Sequence, residues 1–157
     1  MIRPIKTAEI PLLADFLYHA IFVPQGLEAP AREILEQPDL QIYIEDFGQK
    51  TGDLAYVAEK GRQIVGAVWV RFIKDYGYLN DQTPSLSISL LPDYRGQGIG
   101  GQLMQTILSA LKREGYQQVS LSVSKDNPAF RFYQRLGFQL IKERETDYLM
   151  VYDLDKN

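Results

Sequence analysis
The sequence predicts a single mixed α/β domain over residues 1–157, with six or seven strands and about four helices. Three features carry that reading. Short strand-like runs and longer runs with helical apolar spacing interleave along the chain. Glycine or proline marks the changes between them, at Gly61, Pro92, Gly115, Pro128 and Gly137. The length suits one domain with a substantial core, and a hydrophobic content of 45% with well-mixed charge marks an ordinary globular chain.

Residues 2–6 read as a short strand. Thr7 is placed to cap a helix reaching about residue 22, whose Ile10, Leu13, Phe16, Leu17, Ala20 and Ile21 fall on one side. His19, the only histidine, lies roughly 140° from that stripe at about 100° per residue, so it reads as a solvated surface residue. Pro24, Pro30 and Pro38 break residues 23–53 into short helices or turns. Residues 54–59 and 63–73 form a hairpin around Lys60-Gly61-Arg62. Residues 85–91 are a strand, 98–114 a helix stopped by Gly115, 119–123 a strand, and 128–136 a helix closed by Gly137. Residues 138–144 and 148–153 pair as a last hairpin. There is no internal repeat, linker or low-complexity tract.

The stretch Arg95-Gly96-Gln97-Gly98-Ile99-Gly100-Gly101 lies between a strand and a helix start. The first N–H groups of a helix have no intrahelical acceptor and sit at the positive end of its dipole. Glycines let a phosphate approach that backbone, so the expected ligand carries a pyrophosphate. The Walker A reading fails, because the loop ends Gly100-Gly101-Gln102 rather than Gly-Lys-Ser/Thr. The dinucleotide pattern G-x-G-x-x-G is met by Gly96, Gly98 and Gly101, with Asp126 as a ribose acid. Yet Pro92-Asp93-Tyr94-Arg95 separates loop from strand, and the 56 residues after Gly101 are too few for a doubly wound sheet. The third pattern, R/Q-x-x-G-x-G/A, is met by Arg95, Gly98 and Gly100.

A second segment follows at the spacing of one helix and one strand: Asn127-Pro128-Ala129-Phe130-Arg131-Phe132-Tyr133-Gln134-Arg135-Leu136-Gly137-Phe138. It is similar to N-x-x-A-x-x-F-Y-x-K-x-G-F, with the alanine displaced by one residue and Arg135 in place of the common lysine. Together the two motifs resemble the signatures of the GNAT acetyltransferase superfamily. The likeness covers roughly residues 54–152 with the N-terminal strand and helix, and residues 22–53 match no pattern. It implies a central mixed sheet and an acetyl-CoA cosubstrate, used by a cytoplasmic N-acyltransferase on a small amine.

The resemblance assigns roles to positions. Coenzyme A carries about four negative charges. The amides of Gln97, Gly98, Ile99, Gly100 and Gly101, within a loop opened by Gly96, take the pyrophosphate, and Arg95 adds charge. Arg135 and Lys125 are weaker candidates for the 3′-phosphate. Leu90 and Leu91 on the preceding strand pair with the pantetheine arm, and an N–H near Leu91 polarises the thioester carbonyl. Asn127 either binds the pantetheine side or caps the next helix. Tyr133 is the acid that protonates the leaving thiolate; Phe132 packs in the core.

The base is not assigned. Many members of the family carry a carboxylate on the strand before the loop, but Ser85-Leu86-Ser87-Ile88-Ser89-Leu90-Leu91 has none. Ser85, Ser87 and Ser89 share one face and suit the ordering of a water. Glu28 and Asp81 lie in segments able to reach the site. The acceptor pocket is expected from residues 22–47 and 74–84, with Tyr43, Phe47, Tyr76, Tyr78, Glu28, Glu45, Asp46, Asp75 and Asp81; Trp69 and Arg71 share a strand face that offers its floor, with core packing the leading reading for Trp69.

Composition sets limits. Net charge is −3 with no basic run, which argues against a nucleic-acid partner. There is no cysteine, so no disulfide, acyl-cysteine route or cysteine metal site, and no metal is expected. No apolar run reaches the roughly 20 residues of a membrane span. Direct acyl transfer, as a monomer or homodimer, is the leading expectation. A non-catalytic acyl-CoA-binding or regulatory module is the alternative, and a nucleotide-binding oxidoreductase a remote third.

Overall fold
The computed structural model describes residues 1–156. Seven strands form one sheet: β1 (Ile2–Pro4), β2 (Leu54–Lys60), β3 (Gln63–Arg71), β4 (Ser85–Leu90), β5 (Gln118–Ser124), β6 (Gln139–Glu143) and β7 (Asp147–Asp153). Their order is β1-β2-β3-β4-β5-β7-β6. Every neighbouring pair is antiparallel except β4 and β5. The four helices are α1 (Leu12–Ala20), α2 (Pro38–Gln41), α3 (Ile99–Arg113) and α4 (Ala129–Leu136). The mixed α/β expectation, with its strand and helix numbers, is met.

The sheet buries both faces. Alternation along β3 sends Val68 and Val70 to one side and Ala67 and Trp69 to the other. On the first side α3 packs Leu103, Met104, Ile107 and Leu111, all fully buried at i, i+3/i+4 spacing. Removing each such side chain from water stabilises the fold by about 1.5–3 kcal/mol. On the other side α1 packs Leu13, Phe16 and Leu17 against Val57, Ala67 and Trp69.

The first helix is shorter than its apolar stripe implies. A 3-10 turn spans Thr7–Glu9, Pro11 follows, and α1 starts at Leu12. Pro11 has no N–H to continue a helical ladder and restricts the residue before it. Thr7 is no cap; Glu9 takes that work, its carboxylate accepting from the Lys6 amide at 2.8 Å.

The feature that makes room for a ligand lies between β4 and β5. These strands register only at Ser85 opposite Ser120. Beyond that point they part, leaving a wedge that widens toward the end of β4. The crossover that returns the chain to β5 is α3, whose start faces the mouth of this wedge.

Candidate acyl-carrier site
The loop between β4 and α3 is a cradle of unsatisfied amides. A 3-10 turn at Pro92–Tyr94 ends the strand, and Gly96 and Gly98 then take φ of 75° and 85°. Those left-handed angles are open to glycine and costly for residues with a Cβ. A Cβ at Gly96, Gly98 or Gly101 meets nothing within 4 Å, so the space beside the backbone is free. The Gln102 amide bonds to the Gly98 carbonyl at 3.2 Å, the first bond of α3. Among the described residues, the amides of Gly96, Gln97, Gly98, Ile99, Gly100 and Gly101 reach no acceptor in the protein. Such a run at the N-terminus of a 15-residue helix is suited by its chemistry to hold an anion. Arg95 borders it, exposed, and donates to the His19 carbonyl at 3.2 Å. His19 is half-buried rather than solvated, and the loop meets α1 through its backbone.

The strand edge requires a correction. The Leu91 amide donates to the Val65 carbonyl at 2.9 Å, so it is not free to polarise a thioester. Hydrogen-bonded and non-bonded pairs alternate along an antiparallel ladder. With Leu91 bonded to β3, and Gly66 opposite Leu90 and Val68 opposite Ile88, the groups of Leu90 and Ile88 turn the other way. They face the wedge, where β5 no longer pairs. The free donors are those of Leu90 and Ile88, which have the opposite strand parity to Leu91.

Helix α4 closes the other wall. A point one Cβ from Gly100 lies 3.6 Å from Phe132 Cζ and 3.7 Å from Leu90 Cδ1, so α4, α3 and β4 meet there. Phe132 is half-buried against the α3 core. Tyr133 is held between Phe132 and Phe138, with ring centroids 5.5 and 5.8 Å away. Its hydroxyl has no hydrogen-bond partner among the described residues, and burial pushes its phenol up to about 12. Asn127 caps α4, its Oδ1 accepting from the Ala129 amide at 2.9 Å, which leaves its NH₂ free to donate. Lys125 is tied to Glu143 at 2.8 Å and lies over the Tyr148 ring. Arg135 is exposed.

On the α1 face, several expected pocket residues turn out to be framework. Trp69 is 1% exposed and donates to the Tyr43 carbonyl at 3.1 Å. Arg71 is equally buried. It makes a bidentate pair with Asp53 at 2.9 and 3.0 Å and donates to the Ile42 and Glu45 carbonyls. Asp53 also accepts from the Gly48 amide at 2.8 Å, so this ion pair holds the whole loop after α2. Trp69 packs in the core, its leading expectation, and Arg71 lines no pocket floor. Phe47 is buried beneath the guanidinium, and Glu45 and Asp46 are exposed. The signal for this clamp was present: an arginine ending an apolar strand needs a buried partner.

Of the two acids proposed to reach the site, Asp81 accepts from Tyr78 at 2.6 Å on the surface, and Glu28 is exposed. Asp75 stands closer to the wedge. Its Oδ1 accepts from Ser85, the residue at the apex, at 2.7 Å. Ser89, on the same strand face, is buried with an unpartnered hydroxyl. A cleft of about 430 Å³ lined by Pro38, Asp39, Ile42, Lys74, Asp75 and Tyr76 opens beside Asp75. Among the described residues no group of three or more His, Cys, Asp or Glu suits a metal ion.

Comparison with known proteins decides the family. The acetyltransferase (GNAT) domain model matches residues 51–140, more than half the chain, including the cradle, α4 and the apex. The chain belongs to the GNAT acetyltransferase family. This GNAT chain is 35% identical over 95 residues to mouse N-acetyltransferase 8, covering 60% of the chain and 42% of that protein. It is 42% identical over 57 residues to mycothiol acetyltransferase of Corynebacterium aurimucosum, covering 36% of the chain and 19% of that protein. The chain thus spans less than half the length of these relatives. Among solved structures, the GNAT fold matches yncA of Salmonella typhimurium with acetyl-CoA, at TM-score 0.73, 19% identity and coverage of 100% and 95% of the two chains. PaiA N-acetyltransferase of Thermoplasma acidophilum with coenzyme A matches at TM-score 0.72, 18% identity and 98% coverage of both.

Proposed function
We propose that this GNAT chain binds acetyl-CoA and moves its acetyl group directly to a small amine. One observation carries the proposal: a run of unpartnered amides at a helix start opens onto an unpaired strand edge, with a partnerless phenol beside it. The donor needs those three elements in that order. Gly96, Gln97, Gly98, Ile99, Gly100 and Gly101 bind the pyrophosphate, with Arg95 adding charge. Leu90 pairs with the pantetheine arm as an added strand. Ile88 lies deeper in the wedge, where the far end of the arm arrives, and its N–H polarises the thioester carbonyl. One such donor contributes roughly 10²–10³ in rate. The free NH₂ of Asn127 is placed on the pantetheine side of α4.

The bond changes follow. The amine nitrogen bonds to the carbonyl carbon, the C–S bond breaks, and the thiolate takes the Tyr133 proton. The nitrogen loses its surplus N–H proton, which passes to solvent, and Tyr133 recovers a proton from solvent. Burial disfavours the charged form of phenol and thiol alike, so the transfer moves a charge within the dry site instead of creating one. The coenzyme A and acetyl-CoA complexes of the two matching folds support the choice of donor. The N-acetyltransferase name of the mouse relative supports nitrogen as the acceptor atom. We place the protein in the cytoplasm, where acyl-CoA is plentiful; among the described residues no helix is long and apolar enough to cross a membrane.

A non-catalytic acyl-CoA-binding module is the second reading, favoured by the absence of any acid on β4. Release of free thiol from acetyl-CoA, followed across a panel of primary amines, separates the two. Saturable turnover on at least one amine is expected. Tight acetyl-CoA binding with no turnover on any would leave the binding module standing.

A further inference from the structure
We propose that Asp75 takes the proton from the acceptor amine, and that the cleft beside it is where the amine enters. The inference rests on the acyl-transfer reading above and supplies the base that β4 lacks. Asp75 lies on the β3–β4 loop, outside any strand, yet the fold returns it to the apex of the wedge. Its Oδ1 accepts from Ser85 on β4 at 2.7 Å. From the other side, a Cβ on Gly77 would lie 3.3 Å from Asp75 Oδ2 and 3.2 Å from Leu121 Cα and the Ser122 amide on β5. The carboxylate is bonded to β4, and Gly77 of the same loop lies against β5, its carbonyl accepting from Ser120 Oγ, so the loop holds Asp75 where the two strands part. It is half-buried, and it forms part of the wall of the 430 Å³ cleft with Asp39, Lys74 and Tyr76.

The reach is right for the chemistry. Ser85 and Ile88 are three residues apart, about 10 Å along a strand. Ile88 N–H to carbonyl oxygen, carbonyl carbon to amine nitrogen, and amine nitrogen to carboxylate make three contacts of about 3 Å each. An amine entering from the cleft spans that interval with its nitrogen between the two ends. The alkylammonium first gives one proton to Asp75 Oδ2 and on to solvent through the cleft, which frees the lone pair for attack; once the C–N bond has formed, the second N–H proton leaves by the same carboxylate. No co-reactant is needed.

The groups facing Asp75 are few. Tyr43 follows α2, and its phenol is held up by burial first and then by the nearby Asp75 charge, so it stays neutral. Tyr76 sits on the same loop and donates to Asp39 on α2 at 3.2 Å. Arg144, between β6 and β7, is paired with Asp147 and also donates to the Tyr76 carbonyl. Lys74 is the cation of the cleft wall. The surroundings thus hold more carboxylate than free cation, which suits an alkylammonium.

The test compares Asp75→Asn with wild type on a panel of primary alkylamines, with acetyl-CoA affinity measured by calorimetry. The expected result is kcat lower by about 10²–10⁴, with acetyl-CoA affinity unchanged. Wild-type rates should be nearly flat from about pH 7 to 9. The variant should gain about tenfold per pH unit until free amine dominates near pH 10. Asp75→Glu keeps the charge and should restore part of kcat, and it serves if Asp75→Asn fails to fold. Equal kcat and parallel pH profiles in wild type and variants would overturn the inference and leave acyl transfer standing. Acetyl-CoA binding without turnover of any amine in wild type would overturn both.

Discussion
Tyr133 is fixed by its ring and free at its hydroxyl, so Tyr133→Phe isolates one proton. Phe132 and Phe138 flank the ring in both forms, and stability should change little. Steady-state kinetics should show kcat lower by roughly 10²–10⁴, with acetyl-CoA affinity within a few fold. A thioester whose thiol has a lower pKa should recover part of the loss. Turnover at the wild-type rate would make Tyr133 a packing residue. The phenol, held up to about 12 by burial, stays protonated throughout the useful range, so Tyr133 should cause no alkaline loss of activity below about pH 10. At this scale the sequence was legible at Asn127, where a motif fixed the register and the side chain caps α4. It was misleading by one residue at Leu91, because strand parity depends on pairing with β3, and a slip of one exchanges the two edges of the ladder. Asp75 was visible only as one acid among several in a loop, since nothing local ties residue 75 to Ser85.

Elements bring their own tests. The Arg71–Asp53 pair joins β3 to the loop after α2, and both side chains are 1% exposed. Arg71→Met leaves a buried carboxylate without its partner and should cost about 3–5 kcal/mol in urea unfolding. Arg71→Met with Asp53→Leu should regain much of that. Equal stability of single variant and wild type would show the pair to be dispensable. At the other end of the same layer, Arg3 bonds Glu9 and Glu59 and so ties β1 to the turn at Thr7–Glu9 and to β2. The Arg3 hydrogen bond, above all, holds Glu9 down to about 2 against an ordinary 4.5. A lowered carboxylate stabilises in its ionised form, so its contribution is present above about pH 4.5 and lost as pH falls through about 2. Glu9→Gln should melt below wild type at pH 6, and the gap should close near pH 2; a gap independent of pH would contradict the assignment. Strands, α3 and α4 were readable from apolar period and glycine stops, with ends within two residues. The start of α1 was not, because the apolar stripe continues across Pro11 while the backbone ladder cannot.

For the whole molecule, both faces of the sheet are covered beside β4, yet the strands part beyond Ser85, and a cradle of amides stands at the opening. That opening depends on long-range pairing, which no local pattern encodes; the glycine motif announced the run of free amides but not the shape of the opening. If acetyl-CoA fills it, binding should stabilise the native state by about 2.7 kcal/mol at a hundredfold excess over Kd. At roughly 2–4 °C per kcal/mol for a chain of this size, melting should rise by about 5–10 °C, and NAD should give no such shift. The most direct measurement is calorimetric titration of acetyl-CoA into wild type, Tyr133→Phe and Gly98→Val. Gly98 holds φ 85° with open space beside it, so a branched Cβ both strains the turn and intrudes on the cradle. One saturable site is expected in wild type and Tyr133→Phe, and none in folded Gly98→Val. No heat of binding in wild type, or equal affinity in Gly98→Val, would contradict the acyl-CoA site at residues 96–101.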